Sequence, residues 1–351
     1  MEFMPRYRLP ALATVALISL VLAGCSLREV AREEIEAIWA TSPHGDAQSE
    51  AFTHWNDEDP PEVPPNCAKC HSTPGYQDFL GLDGATAGQV DQPVSVGTTV
   101  ECAVCHNDVT QEKHSSVMPS GIELTDLGKN ATCMDCHQGR ASTIDVEAAI
   151  AGLDADVVDG DLGFINIHAG ASGPSQYGTE AKGGYEYAGQ SYVGRFGHAI
   201  GSNTCVACHN HHSLEINSLQ CATCHIGATT AETRRDIRMG NVDYDGDGDI
   251  AEGIADEIST LQDRLLVALQ AYAENQDETA ALVYTDSFPY FADDQGETYA
   301  TWTPRMLQAA YNLHYTVKDR GGFAHNAEYH VQLLYDSLAD LSVDVAAMTR
   351  P

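Results

Sequence analysis

Apolar and polar positions follow several different rhythms along this chain. An apolar run from Leu9 to Leu22 stands behind Arg6 and Arg8 and is followed by Ala23-Gly24-Cys25. Residues 26–65 are polar and end in a Pro-rich stretch (Pro60, Pro61, Pro64, Pro65), which predicts a short helix and then a linker. From Cys67 to His225 few helical or strand periods are visible, and Gly, Ser, Thr and Asp are frequent. Within that region the Gly- and Tyr-rich stretch from Tyr177 to Gly201 predicts a surface excursion. The 3.6-residue period returns near the C-terminus. Ile258, Leu261, Leu265, Leu269 and Tyr272 share one helical face. A second helix is predicted over Pro304–Val317, with Met306, Ala309, Ala310 and Leu313 on one face. A third is predicted over Ala327–Met348 with Val331, Leu334, Leu338 and Leu341, and Gly321-Gly322 separates it from the second. The fold class is therefore mostly loop and α, with C-terminal amphipathic helices.

The cysteines explain why the middle region lacks an apolar rhythm. The chain has 11 Cys. All but Cys25 fall into five Cys-x-x-Cys-His units: Cys67/Cys70/His71, Cys102/Cys105/His106, Cys133/Cys136/His137, Cys205/Cys208/His209 and Cys221/Cys224/His225. Two thiols at this spacing reach the two vinyl groups of one porphyrin, and the next residue puts an imidazole under the iron. Disulfides or zinc would account for paired cysteines, but neither explains a His after every second Cys. Five covalent haems c would replace side chains as the core of residues 66–240. The shortest gap, from Cys205 to Cys221, predicts two closely packed haems.

Each iron would have a proximal His (His71, His106, His137, His209, His225), so the sixth ligand decides the chemistry. An iron with His on both faces is saturated and only passes electrons. An open face binds and reduces a substrate. The chain has 15 His, which leaves ten others. The distal candidates are His54, His114, His168, His198, His211, His212 and His325. His211 and His212 directly follow the fourth motif, and His198 lies just before it among glycines. His44, His314 and His330 read as surface or packing residues, and Met118 and Met134 as apolar packing.

The N-terminal run has the charged, apolar and small-residue regions of an export signal and is shorter than the roughly 20 residues that span a membrane. Leu22-Ala23-Gly24-Cys25 resembles a bacterial lipobox. That resemblance implies a lipoprotein signal peptide over residues 1–24, lipid on Cys25, and, with Ser26 next, an outer-membrane lipoprotein on a tether of residues 25–65. Composition agrees with export on a tether. Lys and Arg number 18 against 51 Asp and Glu, a formal charge of -33. A surface this acidic excludes nucleic acid as a partner and repels anionic membranes, and it suits saline surroundings or a basic redox partner.

One acidic segment is separate. Asp243, Asp245, Asp247, Gly248, Asp249 and Ile250 resemble the first half of an EF-hand calcium loop, within a segment bounded as 241–257. Loop position 12 is Ile254, where that family carries a bidentate Glu; Glu252, Asp256 or Glu257 stand nearby to substitute. The candidate calcium ligands are Asp243, Asp245, Asp247, Asp249 and Glu252. Carboxylates on alternate residues repel one another unless a cation neutralises them. The helical region 258–351 follows.

The five motifs resemble the multihaem c-type cytochromes. The stretch Trp302–Leu341, with Tyr311-Asn312, Lys318-Asp319, Gly321-Gly322 and His325-Asn326, resembles the helical tail of multihaem proteins in the nitrite and hydroxylamine oxidoreductase group. Catalytic pentahaem nitrite reductases usually replace one motif His with Lys, and here all five end in His. The resemblance therefore implies an electron carrier rather than an enzyme. It would serve the periplasm or cell surface in a chain or filament of cytochromes, with other cytochromes, redox proteins or its own copies as partners. A reductase of nitrite, hydroxylamine or a sulfur oxyanion with one open haem is the alternative.

Overall fold

The computed structural model describes residues 32–168, 170–199, 201–238, 240–276 and 281–351. The leader and Cys25 lie outside the described residues. Among these residues, no helix is long and apolar enough to cross a membrane. The chain divides into two compact units. The first runs to Val104 and takes in Asn210–Glu215; the second comprises Cys105–His209 and Ile216–Pro351.

The first unit is built from short elements. Helix α1 covers residues 32–40, α2 Glu50–Thr53, α3 Pro65–His71 and α4 Thr73–Phe79. Pro65 starts α3, where its missing N–H costs nothing. Ser72 caps α4 by accepting from Gly75 N at 3.0 Å. Gly75 is required there, because a Cβ would strike the Ala68 carbonyl of α3. Strands β1 (Glu62–Val63) and β2 (Val94–Ser95) pair antiparallel, Val63 opposite Val94. Only a few apolar side chains in this unit are buried, among them Phe52, Val63, Tyr76 and Leu80. Helix α5, Cys102–Cys105, lies at the boundary in sequence.

The second unit holds the remaining elements. Short helices come first: α6 (Asp108–Glu112), α7 (Asn130–Cys136), α8 (Thr143–Ile150), α9 (Ser172–Tyr177), α10 (Cys205–Cys208), α11 (Ser218–Ala222) and α12 (Ala231–Arg235). Two small hairpins accompany them: β3 (Ser116–Val117) with β4 (Glu123–Leu124), and β5 (Val283–Tyr284) with β6 (Phe291–Ala292). Then come the long helices α13 (Ile254–Gln276) and α14 (Pro304–Lys318), the single turn α15 (Gly322–His325), and α16 (Ala327–Asp340). The long helices pack on one another, as their apolar faces predict. Leu261, Leu265 and Leu269 of α13 are 0% exposed against Met306, Leu307 and Ala310 of α14 and Leu334 and Leu338 of α16, all in one core. Burying each such leucine contributes about 1.5–3 kcal/mol. Thr303 caps α14 ahead of Pro304, and Asn326 caps α16.

Two expectations are corrected here. The third long helix ends at Asp340 instead of Met348. Ser342 adopts φ 63°, Ser342 N donates to Ala339 O and Val343 N to Leu338 O, both at 3.0 Å. This is a Schellman closure that satisfies the last carbonyls without a glycine, so sequence patterning could not see it. The stretch from Tyr177 is a surface excursion only in its second half, where residues 188–191, 195 and 197–199 are exposed, whereas its first half is not. Tyr177, Ala181 and Tyr185 are buried, and Tyr311 OH and the Asn312 side chain of α14 bond to Gly183 O and to Tyr185 N and O at 2.7–3.0 Å. Gly183 and Gly184 have no room for a Cβ against Pro174, Tyr315 and Leu333. This cover makes α14 buried nearly all round rather than along one stripe.

Candidate functional site

Each motif begins in a helix, because one helical turn brings the two thiols of a Cys-x-x-Cys pair to the same side. Helix α3 carries Cys67 and Cys70, α5 Cys102 and Cys105, α7 Cys133 and Cys136, and α10 Cys205 and Cys208. Helix α11 carries Cys221 but ends at Ala222, before Cys224. The pairs differ in exposure. Cys67 and Cys70 are half-buried on α3, which α4 covers where Gly75 meets Ala68, whereas Cys102 and Cys105 are exposed. Cys70 stands in the last turn of a helix that ends at His71 and leads straight into α4. Cys102, Cys133, Cys205, Cys208, Cys221 and Cys224 form no disulfide in the structure. They remain accessible or half-buried, as a covalent attachment point must be.

In the first unit, His71 shows how the motif imidazole is oriented. Its Nδ1 lies 2.8 Å from Ala51 O. Donation to that carbonyl puts the ring proton on Nδ1 and directs the Nε2 lone pair outward, the tautomer an iron ligand needs. The Trp55 ring stands 5.3 Å from that of His71 at 68°. His54, expected as a ligand, is exposed and pairs with Glu50 at 3.0 Å. His211 and His212 lie side by side with ring centres 4.4 Å apart.

In the second unit, the third, fourth and fifth motifs come together. Cys205 N donates to Asn130 Oδ1 at 3.1 Å, which ties the start of α10 to the start of α7. The Cys133 and Cys205 thiols hydrogen-bond each other; this bond and burial raise the Cys133 thiol, and the same bond, against burial, lowers that of Cys205. Burial and the nearby Cys221 raise the Cys208 thiol. Consecutive attachment points are therefore neighbours in space as well as in sequence.

His198 faces the fifth motif. Its ring centre is 6.3 Å from that of His225. Two imidazoles on opposite faces of one metal, each nitrogen about 2 Å from it, have ring centres roughly 6 Å apart. The spacing fits a shared iron.

Around the third motif the fit depends on glycine. A Cβ at Gly170 would meet His137 Nδ1 at 3.1 Å, and one at Gly173 would meet His137 O at 3.0 Å. His168, next in sequence to this cradle, takes a left-handed φ of 73°, held by its N–H donating to Asn166 Oδ1 at 2.7 Å. His114 is exposed, and Leu127 N donates to its carbonyl at 2.9 Å.

His325 of α15 is fixed through Nδ1 to Asp319 Oδ1 at 2.7 Å. Burial opposes its charge, but the Asp319 carboxylate outweighs burial and the net shift is upward. Burial likewise opposes ionisation of Asp319, and the charges and hydrogen bonds of His325 and His330 overcome it, holding the carboxyl well below its usual range. His330 Nε2 lies 3.5 Å from Asp319 Oδ2 and 3.1 Å from Ser175 Oγ. Gly321 and Gly322 leave space for the two imidazoles. His314 and His330 are fully buried packing residues, in line with their reading from sequence. Met118 and Met134 are apolar packing as expected, in a small core with Leu124 and Leu127.

In the acidic loop, oxygens of Asp243, Asp245 and Asp247 lie within 4.8 Å of one another, and so do those of Asp245, Glu252 and Glu257. Asp249 is exposed and belongs to neither group; its Oδ1 accepts from Ala251 N at 2.8 Å. The sequence gives Asp319 only as part of the tail resemblance, not as the partner of His325 and His330, and it does not point to Trp55 beside His71.

No family model matches the chain, and no solved structure matches it. Among curated proteins it is similar to the C-type polyheme cytochrome OmcC of Geobacter sulfurreducens, 25% identical over 375 residues, covering 84% of this chain and 44% of that protein. It is also similar to the C-type polyheme cytochrome OmcB from two strains of the same species, 27% identical over 361 residues, covering 84% of this chain and 46% of that protein. The chain spans about half the length of these relatives. The mostly helical and looped fold, the repeated Cys-x-x-Cys-His helices and these relatives together make the chain similar to multihaem c-type cytochromes.

Proposed function

We propose that this chain is an exported c-type cytochrome that holds five haems covalently and transfers electrons along them. Bound haem iron supplies a one-electron redox couple. The polypeptide tethers, orients and spaces it. The motif cysteines form the thioether links in pairs: Cys67 with Cys70, Cys102 with Cys105, Cys133 with Cys136, Cys205 with Cys208 and Cys221 with Cys224. His71, His106, His137, His209 and His225 are the proximal ligands. The observation that carries this reading is the Cys-x-x-Cys-His unit repeated five times, and the contact of Cys133 with Cys205 supports close spacing of two of these attachment points. Close edges are what electron transfer between centres requires.

The distal ligands come from His54, His114, His168, His198, His211, His212 and His325. His198 serves the fifth motif, supported by its spacing from His225. The Asp319 bond supports His325, since it leaves Nε2 as the donor atom. Lipid on Cys25 tethers the protein to the outer membrane, facing the periplasm or the cell surface. Redox proteins, other cytochromes or further copies of the chain are its partners there. A calcium ion on the acidic loop fixes the junction between the motif region and the C-terminal helices.

Visible and paramagnetic resonance spectra of the purified protein test the function. Low-spin iron throughout is the expected result. A stoichiometric high-spin fraction would instead assign the chain to the reductases of nitrite, hydroxylamine or sulfur oxyanions. Cys25→Ser should move the protein from the membrane to the soluble fraction.

A further inference from the structure

We propose that one calcium ion is held by the side chains of Asp243, Asp245, Asp247, Glu252 and Glu257, with the two glutamates doing the work that the loop's spacing assigns to position 254. This ligand set rests on the calcium reading given above and is independent of the haem chemistry. Ile254 cannot serve, since it is buried and opens α13. Asp245 belongs to both carboxylate groups and so joins them into one cluster.

The observation beyond the cluster itself is an orphaned oxygen. Asp245 is 0% exposed, and its Oδ2 has no hydrogen-bond partner. Glu252 Oε1 is likewise buried and unpartnered. Buried carboxylate oxygens without donors are costly, and native folds supply a donor or a metal. Among the described residues, no cation fills that role. Arg238 Nη2 is taken by Glu257 Oε1 at 2.8 Å, and the Arg264 guanidinium donates to the main-chain oxygen of Asp245. Backbone N–H groups occupy other oxygens: Gly246 and Gly248 donate to the two oxygens of Asp243 at 2.6 and 2.9 Å, and Asp247 to Asp245 Oδ1 at 3.0 Å. Tyr244 N and Asp245 N donate to Glu257 Oε2 at 2.6 and 3.1 Å, which fixes that carboxylate beside Asp245. Gly248, at loop position 6, has the φ of 93° that the sharp turn requires.

Carboxylates this close together repel one another, and a divalent cation removes that penalty. The donor set is all oxygen, with no thiolate or imidazole, which selects a hard ion, and the irregular arrangement suits the flexible coordination of calcium better than the octahedron of magnesium. The site joins three segments. Ile254 N donates to Ile237 O at 3.0 Å, Thr349 N to Tyr244 O at 3.2 Å, and Arg264 reaches in from α13. A bound ion would thus hold the chain leaving the fifth motif against the C-terminal helices and the terminal residues.

Titration calorimetry of the chelator-treated, haem-loaded protein with calcium chloride tests the inference. The expected result is one strong site per chain, weakened at least tenfold in Asp245→Asn and in Glu252→Gln and unchanged in Asp249→Asn. The thermal midpoint of the wild type should rise on adding calcium. If the wild type binds none, the calcium reading fails together with this ligand set. If it binds one ion and both Asp245→Asn and Glu252→Gln bind it equally well, the ligand set alone fails. The haem spectrum of the same samples reports separately on the electron-transfer reading.

Discussion

Lowering the pH should destabilise the C-terminal core through one buried imidazole. His314 is fully buried in α14. Its Nε2–H donates to Asn166 Oδ1 at 2.9 Å, and its Nδ1 accepts from Tyr284 OH at 3.0 Å. The rings of Phe164 and Tyr290 stand 5.0 and 4.7 Å away. Burial, then the charge of Lys318, push it down from 6.5 to about 3. A depressed imidazole favours the folded state only while both states are neutral. Below pH 6.5 the unfolded chain takes up a proton that the folded chain refuses, so stability is lost as pH falls from 6.5 toward 3. The slope approaches about 1.4 kcal/mol per pH unit, which gives a loss of about 2 kcal/mol at about pH 5 relative to about pH 7.5. His314→Gln keeps a donor and an acceptor but cannot titrate. Urea midpoints followed by far-ultraviolet circular dichroism at those two pH values should therefore fall about 2 kcal/mol further for the wild type than for the variant. Equal losses would refute the reasoning. The result bears on the site as well, since Asn166 Oδ1 also accepts from His168 N–H and so fixes that candidate ligand next to the third motif.

Three further outcomes are expected. His198→Ala should convert one low-spin haem to high-spin in the paramagnetic spectrum and leave the others as they were; an unchanged spectrum would remove His198 from the ligands. Leu265→Ala, which hollows the fully buried face of α13, should cost about 2–5 kcal/mol in urea unfolding with full haem content retained. Asn326→Ala removes the cap accepting from Tyr329 N at 3.3 Å and the bond from Nδ2 to Gly194 O at 3.1 Å, and should lower stability by about 1 kcal/mol or more in the same assay.

What was legible in the sequence was what local chemistry dictates. Thioether attachment needs two thiols and an imidazole within five residues, so Cys67, Cys70 and His71 and their four counterparts are readable without a fold. The apolar period of α13 and the Thr303-Pro304 start of α14 are equally local. Distal ligands are not, because an imidazole reaches an iron held by a distant motif. His198 against His225 and the bond from Asp319 that orients His325 emerged only in three dimensions. The stretch from Tyr177 to Tyr192 has loop composition, yet its tyrosines and backbone are what α14 and α16 bind through Tyr311, Asn312 and Tyr329. The acidic loop was recognisable by its aspartates, and Glu252 and Glu257 were legible as nearby substitutes for position 12, but only the structure brings them beside Asp245, which supports the proposed site.

Intact-mass analysis of the native, exported protein tests the central claim most directly. The account predicts a mass exceeding that of the processed polypeptide by five haems, with each motif peptide carrying one. A protein with bare or disulfide-linked motif cysteines would contradict it.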